Sequence, residues 1–492
     1  MWLLRDDFMQ FCRRCWEEIP FHGGMLSLFN RLHHLKGKLS SWNNEHFGNL
    51  FDMMKEAEED AARAEMLYEA DPSPEHRTLC NLKQDELVVI SKREHAFWRQ
   101  KCNVKWLQDG DANTKFFHNL VKEKRRKQRI TTLTNDQGHT IEHTASLEAM
   151  VVEHYKNLFN SHEPMPSQDV YESFLNAIPP LLFPEHNDLL MRLPEEEEIR
   201  NILWEMDSDS AAGPDGFNCR FFKACWDFVK RDVTSACQEV FLGIPLPPAA
   251  ASSNICLLPK VENAQILKRL GTLLPLIILE EQGAYVPGRE ILDQILITKE
   301  MVHHINRKAN GGNLIIKLDM AKAFDKLKWS YLFDILQQFG FCAQFINMVK
   351  NLLSSSKYSV LFNGKPCGYF GQSRGIKQRD PLSPLLFIIS NEGFSRNLKK
   401  LFSLGRIGHF NCGTKSIPIT HLSYSDDIII FSSGHARSIL NLRRFLEDYQ
   451  LVSGQTINYQ KSSFVVGKKA NIILINKLQQ ALNMPFKAWS SN

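Results

Sequence analysis

Three aspartates are the residues of this 492-residue chain whose type and setting could do chemistry. Asp426 and Asp427 stand side by side in "HLSYSDDIIIF", where they interrupt what otherwise reads as a buried strand. Carboxylates are among the side chains least often buried without a partner, so two of them there require compensating charge. Asp319 ends a second apolar run, "NLIIKLD", broken only by Lys317. A carboxylate at the C-terminal edge of a strand stands where α/β sites commonly lie. Successive strand residues point to opposite faces, so Asp426 and Asp427 can approach one ion together only on a bend. "SYSDD" between two apolar runs supplies such a hairpin tip. Three oxygen ligands favour a hard cation, magnesium above zinc. Magnesium completes its shell with water and substrate phosphate, and the chemistry that fits is two-metal phosphoryl or nucleotidyl transfer.

The elements that must hold these groups are legible as an α+β pattern. From Asn254 onward strand-like and helical stretches alternate, and "MAKAFDKLKWSYLFDILQQFG" has helical spacing from Met320 that ends at Gly340. Upstream, from about Phe29 to Leu120, apolar residues recur at three and four. Asp71-Pro72-Ser73-Pro74 divides this stretch, and the second half carries Trp98 and Trp106, so a two-helix hairpin arm is expected. Beyond the arm, "VKEKRRKQR" packs six cations and one anion into nine residues, with Phe116, Phe117 and His118 just before it. Phosphates need cations and bases need flat apolar partners, so Phe116, Phe117, Lys122, Lys124, Arg125, Arg126, Lys127 and Arg129 are candidate nucleic-acid contacts. The acidic block "PEEEEIR" suits a helix start, where anions oppose the positive end of the dipole. "CRFFKACWDFVKRDVTSACQEVF" reads as a helix with an aromatic, core-facing side.

Composition bounds the rest. A chain that is 43% hydrophobic and 10% aromatic, with a net charge of +4, is an ordinary folded protein whose charge informs only locally. Eleven cysteines, scattered apart from "CRRC" at Cys12 and Cys15, point to reduced thiols and leave a zinc site with only one pair. The start "MWLLRDDFMQF" has neither a signal peptide's apolar core nor an anchor, and no run approaches the roughly 20 apolar residues of a membrane span. The expectation is a soluble intracellular protein, nuclear or cytoplasmic, with no membrane partner.

"KLDMAKAFDKLKW", "GIKQRDPLSPLLFII", "HLSYSDDIIIF" and "SGQTINYQKSSF" occur in the order, and near the spacing, of the four palm motifs of reverse transcriptases. With "AAGPDGF", "LLPKVEN", "QGAYVPGR" and "GDANTKFFH", the chain resembles the non-LTR (long interspersed element) retrotransposon type, especially its plant representatives. The resemblance covers essentially everything after Phe29. It implies a right-hand polymerase of fingers and palm with a long helical N-terminal extension, and RNA-directed DNA synthesis as the activity. Template RNA, a DNA primer, deoxynucleoside triphosphates and two Mg2+ ions, with Mn2+ as an alternative, are the implied partners. Position by position, Asp319 and Asp426 match the metal-binding catalytic carboxylates, and Asp427 the second member of the dyad. Phe324 falls where the family sets an aromatic against the sugar of the incoming nucleotide, Gln378 beside that nucleotide, Lys461 near its phosphates, and Lys260 on the fingers hairpin.

The resemblance divides the chain into a helical basic extension over 1–165, a fingers-like region over 190–300, a palm over 301–470 and a short C-terminal end over 471–492. Departures are also visible. Arg379 stands where the family has a glycine that allows close backbone approach to a ligand. Lys268 joins Arg269 directly, where a few tens of residues and the fingers arginine that grips the triphosphate are expected. The endonuclease that precedes the family's polymerase and its thumb are expected to be absent, as in an incomplete copy. These departures set a second reading beside the polymerase, an inactive nucleic-acid-binding remnant of a retroelement. A metal-dependent nuclease would suit isolated carboxylates but not the ordered motifs.

Overall fold

The computed structural model describes residues 2, 5, 7–102, 123, 129–135, 137–160, 164–208, 216–247, 252–254, 264–377, 380–413, 418–468 and 470–487. Its centre is a four-stranded antiparallel sheet in the order β11-β4-β9-β8, formed by β4 (Asn313–Leu318), β8 (His421–Tyr424), β9 (Asp427–Ser433) and β11 (Ser463–Val466). The pleat sorts the side chains of β4 and β9 by parity. Leu314, Ile316, Leu318, Ile428 and Ile430 enter the large core, whereas Ile315 and Phe431 enter a smaller one with Met301, Ile305, Phe410 and Leu422. Two apolar faces explain why these strands read as nearly continuous apolar runs.

The large core is filled by helices. Ser383–Ser403 is buried along most of its length and packs on Trp329–Phe339, while Ala436–Ser453 supplies Phe445, Leu446 and Tyr449. The same core extends to Phe8, Cys12 and Trp16 of Phe8–Glu17 and to Leu32, Leu35 and Leu39 of Gly24–Phe47. These first helices dock on Trp226–Phe241, where the buried Asp232 takes a hydrogen bond from Trp16 (3.1 Å) and an ion pair from Arg31 (2.7 Å). The apolar core thus runs across the sequence boundary expected near 165. Cys12 and Cys15 are buried in it, and among the described residues no group of three His, Cys, Asp or Glu side chains is arranged to hold a metal ion.

The hairpin arm is present as Leu50–Ala70 and Pro74–Cys102, turned at 71–73. Its predicted first half is in fact two helices. Gly48, at φ +47°, ends Gly24–Phe47, and Asn49 caps the next helix by accepting the N–H of Phe51. The acidic block begins Glu196–Glu205 with three glutamates in its first turn, and Phe221, Phe222, Trp226 and Phe241 of the aromatic stretch are buried.

The segment after Asp319 differs from the continuous helix its spacing suggests. Met320–Ala321 forms β5, paired with β10 (Thr456–Ile457), and Lys322 turns through the left-handed region (φ 52°). A single turn, Ala323–Lys326, precedes the helix Trp329–Phe339, which ends at the left-handed Gly340 as expected. Two β-hairpins flank these elements. β1 (Leu133–Thr134) pairs with β2 (Thr140–Ile141), and β6 (Lys357–Phe362) pairs with β7 (Lys365–Gly371) while β3 (Ser252–Asn254) lies parallel to β6. Thr144–Asn160 covers that second hairpin through Tyr155 and Phe159. No helix among the described residues is long and apolar enough to cross a membrane.

Candidate active site

Leu318, the last residue of β4, pairs with Ile428 of β9, so Asp319 leaves the sheet opposite the start of β9, where Asp427 stands. Asp427 pairs in turn with Tyr424, leaving Ser425 and Asp426 as the two-residue tip between β8 and β9. Ser425 adopts φ 59°, the left-handed backbone that a tight turn of this kind requires. The expected hairpin tip is therefore present, and strand register brings it to the edge where Asp319 lies. Asp319 and Asp426 are half-buried and Asp427 is exposed.

The backbone of Asp319 is tied down from the other side of the sheet. Its N–H donates to Ser462 Oγ (3.0 Å) and its carbonyl accepts from the N–H of Asn458 (2.8 Å). The turn 458–462 belongs to the fourth motif and carries Lys461, exposed, with its own N–H on Asn458 Oδ1 (3.2 Å). Lys317 reaches Asp427 with Nζ 3.3 Å from Oδ1, so a cation already balances part of the charge of the pair. This contact answers in part how adjacent carboxylates persist at the end of an apolar strand: Asp427 points to solvent and a lysine.

Phe324 sits on the turn after β5, half-buried, with its ring stacked on that of the buried Phe387 at 4.5 Å and 14°. Its carbonyl accepts the N–H of Ile376, which joins the first motif to the second. Gly375 makes that approach possible, since at φ +79° a Cβ there would meet the carbonyl oxygen of Asp325 at 2.5 Å. Gln378 and Arg379, which follow, lie outside the described residues, as do Lys260, Phe116, Phe117, Lys122, Lys124, Arg125, Arg126 and Lys127. Arg129 is exposed, and the next residue, Ile130, exchanges two hydrogen bonds with the Asn363 side chain at the β6–β7 turn (2.8 and 2.9 Å). The end of the basic run is thereby anchored to that hairpin.

Buried ionisable groups behind the hairpin form a layer that the motifs do not announce. Glu392 lies within Ser383–Ser403, accepts from Arg396 Nε (2.9 Å) and from the N–H of Leu279 (3.1 Å), and burial pushes its carboxyl up to about 7. Glu281 pairs with Lys399 (2.7 Å), and its carbonyl accepts the N–H of Ser423 on β8. Burial also acts on His421, the first residue of β8, lowering its imidazole to about 4. The only signal of this layer in the sequence is that charged residues recur inside an otherwise apolar stretch of "LLFIISNEGFSRNLKKLF".

Arg269 is placed with equal definition. The helix Ala264–Ile277 runs unbroken through Lys268 and Arg269, and the buried Arg269 guanidinium meets Glu198 through two parallel hydrogen bonds (3.0 and 2.6 Å) and reaches the carbonyl of Arg192. Lys268 pairs with Glu205 at the surface (2.7 Å).

Residues 253–483 match the family described as reverse transcriptase (RNA-dependent DNA polymerase). The uncharacterized 149 kDa protein of transposon TX1 from Xenopus laevis is 27% identical over 393 residues, covering 75% of this chain and 29% of its own length. The Pol polyprotein of the type-2 retrotransposable element R2DM from Drosophila melanogaster is 28% identical over 189 residues, covering 38% of this chain and 17% of its own length. The chain thus spans less than a third of either relative. Among solved structures, an apo telomerase from Candida tropicalis aligns with 42% of this chain and 40% of its own, at 17% identity and a TM-score of 0.31.

Proposed function

Residues 253–483 carry a reverse transcriptase domain of the non-LTR retrotransposon type, and from that premise we propose that this chain is the fingers and palm of an RNA-directed DNA polymerase. Template RNA, a DNA primer and deoxynucleoside triphosphates are its partners, and nucleus or cytoplasm its compartment. In this reading 1–165 is a helical extension that carries the basic run, 190–300 the fingers-like region, 301–470 the palm and 471–492 a short C-terminal end. The observation that supports the reading most is the β4–β9 register, by which Asp319 leaves the sheet beside the tip that carries Asp426 and Asp427.

Reverse transcriptases use divalent metal ions; the chemistry of the three carboxylates suits a hard one, while their side chains are not drawn together into a ready-made metal group. All three candidates are carboxylates at a solvent-open sheet edge, where water and substrate phosphate can complete an oxygen shell. Asp319 and Asp426 would hold two Mg2+ ions, or Mn2+, with Asp427 beside them and tempered by Lys317. When bound, the ions acidify the primer hydroxyl and neutralise the leaving pyrophosphate. The chain's own residues supply the positioning. Phe324, backed by Phe387, presents a flat wall suited to a deoxyribose, and Gln378, Lys461 and Lys260 are assigned to the nucleotide and its phosphates. Phe116, Phe117 and the cations from Lys122 to Arg129 are assigned to the nucleic-acid strands.

Catalysis in this chain is compromised on two grounds. Arg379 occupies a position suited to glycine, and Arg269 cannot stand in for a triphosphate-gripping arginine because Glu198 and the carbonyl of Arg192 already engage it. That engagement favours the second reading, a remnant that binds primed RNA without extending it. Primer extension on a primed RNA, paired with anisotropy binding, separates the two. Extension that Asp426→Asn reduces by at least a hundredfold supports the polymerase. Tight binding with no extension supports the remnant, and failure to bind primed RNA overturns both.

A further inference from the structure

We infer that Gln282 and Asn391 are positioning residues that fix the carboxylate-bearing hairpin by holding Ser425, the residue before Asp426, at both of its backbone polar groups. The metal-related part of this inference rests on the reading above. Ser425 has a side chain and yet sits at φ 59°, a conformation that persists only where its surroundings over-determine it. Its N–H donates to Gln282 Oε1 (3.0 Å), and its carbonyl accepts from Asn391 Nδ2 (3.3 Å). Each grip is itself secured.

Gln282 is 2% exposed, and its Oε1 also takes the N–H of Ala284 (3.0 Å). Its backbone lies alongside β8, with Ser423 N–H on the Glu281 carbonyl and Gly283 N–H on the Ser423 carbonyl, both 2.8 Å. Asn391 belongs to a buried polar group from two further segments. The Tyr449 hydroxyl shares its proton between Gln455 Oε1 (2.9 Å) and Asn391 Oδ1 (3.2 Å), and Gln455 Nε2 lies 3.4 Å from the same oxygen. Buried polar networks persist when their members satisfy one another, and a satisfied network specifies one geometry. The choice of amides has an electrostatic reason. They supply an acceptor and a donor next to Asp426 without placing a further charge beside the carboxylates.

Hydrogen exchange tests the clamp without relying on catalysis. Gln282→Met keeps the length and shape of the side chain but removes the acceptor, and should raise exchange in peptides spanning 421–430 by about tenfold while β4 and β11 stay protected. Gln282→Glu, measured at acid pH where the new carboxyl is neutral, restores an acceptor without the added charge and should recover part of that protection, which a role in apolar filling would not predict. Mn2+ titration followed by electron paramagnetic resonance should show about tenfold weaker binding in Gln282→Met, and a larger loss in Asp426→Asn. Unchanged tip exchange in a Gln282→Met protein whose strands remain protected overturns the inference. Should that variant not fold, Asn391→Leu, which removes the opposite grip, is read by the same criterion. Mn2+ affinity that is indifferent to Asp426→Asn would count against the active-site reading alone, leaving the exchange result to decide the clamp.

Discussion

At the scale of single residues, the charges behind the hairpin have a pH signature in which two groups oppose each other. Glu392 titrates at about 7 when folded against an ordinary 4.5, because burial outweighs Arg396 and the Leu279 amide. The stability it contributes is fully present below pH 4.5 and is lost as pH rises toward 7, since the folded state keeps a proton that the unfolded chain has released. His421 titrates at about 4 against an ordinary 6.5, with burial outweighing the attraction of Glu281. Its contribution is present above pH 6.5 and is lost as pH falls toward 4. Each slope is at most about 1.4 kcal/mol per pH unit, and between 4.5 and 6.5 they have opposite signs. Glu392→Gln should therefore unmask the histidine, so that the urea midpoint climbs with pH across that window more steeply than in the unaltered protein. Parallel profiles for the two would show that Glu392 ionises normally. The hairpin tip that carries Asp426 and Asp427 was legible because a short polar stretch there separates two apolar runs. Gln282 and Asn391 were not, since an amide acquires its role only from what folding sets opposite it.

At the scale of elements, neighbours in sequence can differ sharply in what they hold. Arg269 fixes the helix Ala264–Ile277 against the start of Glu196–Glu205, and its loss strands Glu198 in a partly buried place. Arg269→Met should cost roughly 3 kcal/mol, read as a lower urea midpoint at unchanged slope. Lys268→Met, one residue away, removes an exposed pair and should stay within about 0.5 kcal/mol. If the two variants lose equal stability, the bidentate contact is not what joins these helices. Helical periodicity revealed the arm, the acidic helix start and the end at Gly340. It misread 320–328 because Met320–Ala321 is claimed by Thr456–Ile457, about 136 residues downstream, and local spacing carries no trace of a partner so distant. The division near Gly48 was missed for a different reason: one glycine within a long periodic run is compatible with either outcome.

At the scale of the whole molecule, net charge is nearly silent while one segment carries a dense positive field. Association with primed RNA should weaken steeply with salt, and neutralising Arg125, Arg126 and Lys127 together should flatten the log–log slope by up to about three units. A slope that the triple variant leaves unchanged would remove the basic run from the interface. The core that joins the first helices to Trp226–Phe241 bears on how the chain is made. Trp16 and Arg31 meet Asp232 across 216 and 201 residues of sequence. At about 5–20 residues per second, a ribosome takes roughly 10–40 s to deliver that partner. For that interval the apolar sides that Phe8–Glu17 and Gly24–Phe47 turn toward Trp226–Phe241 are outside the tunnel without that partner. Newly synthesised chains should thus depend on chaperone holding early in translation, well before Asp319, Asp426 and Asp427 exist.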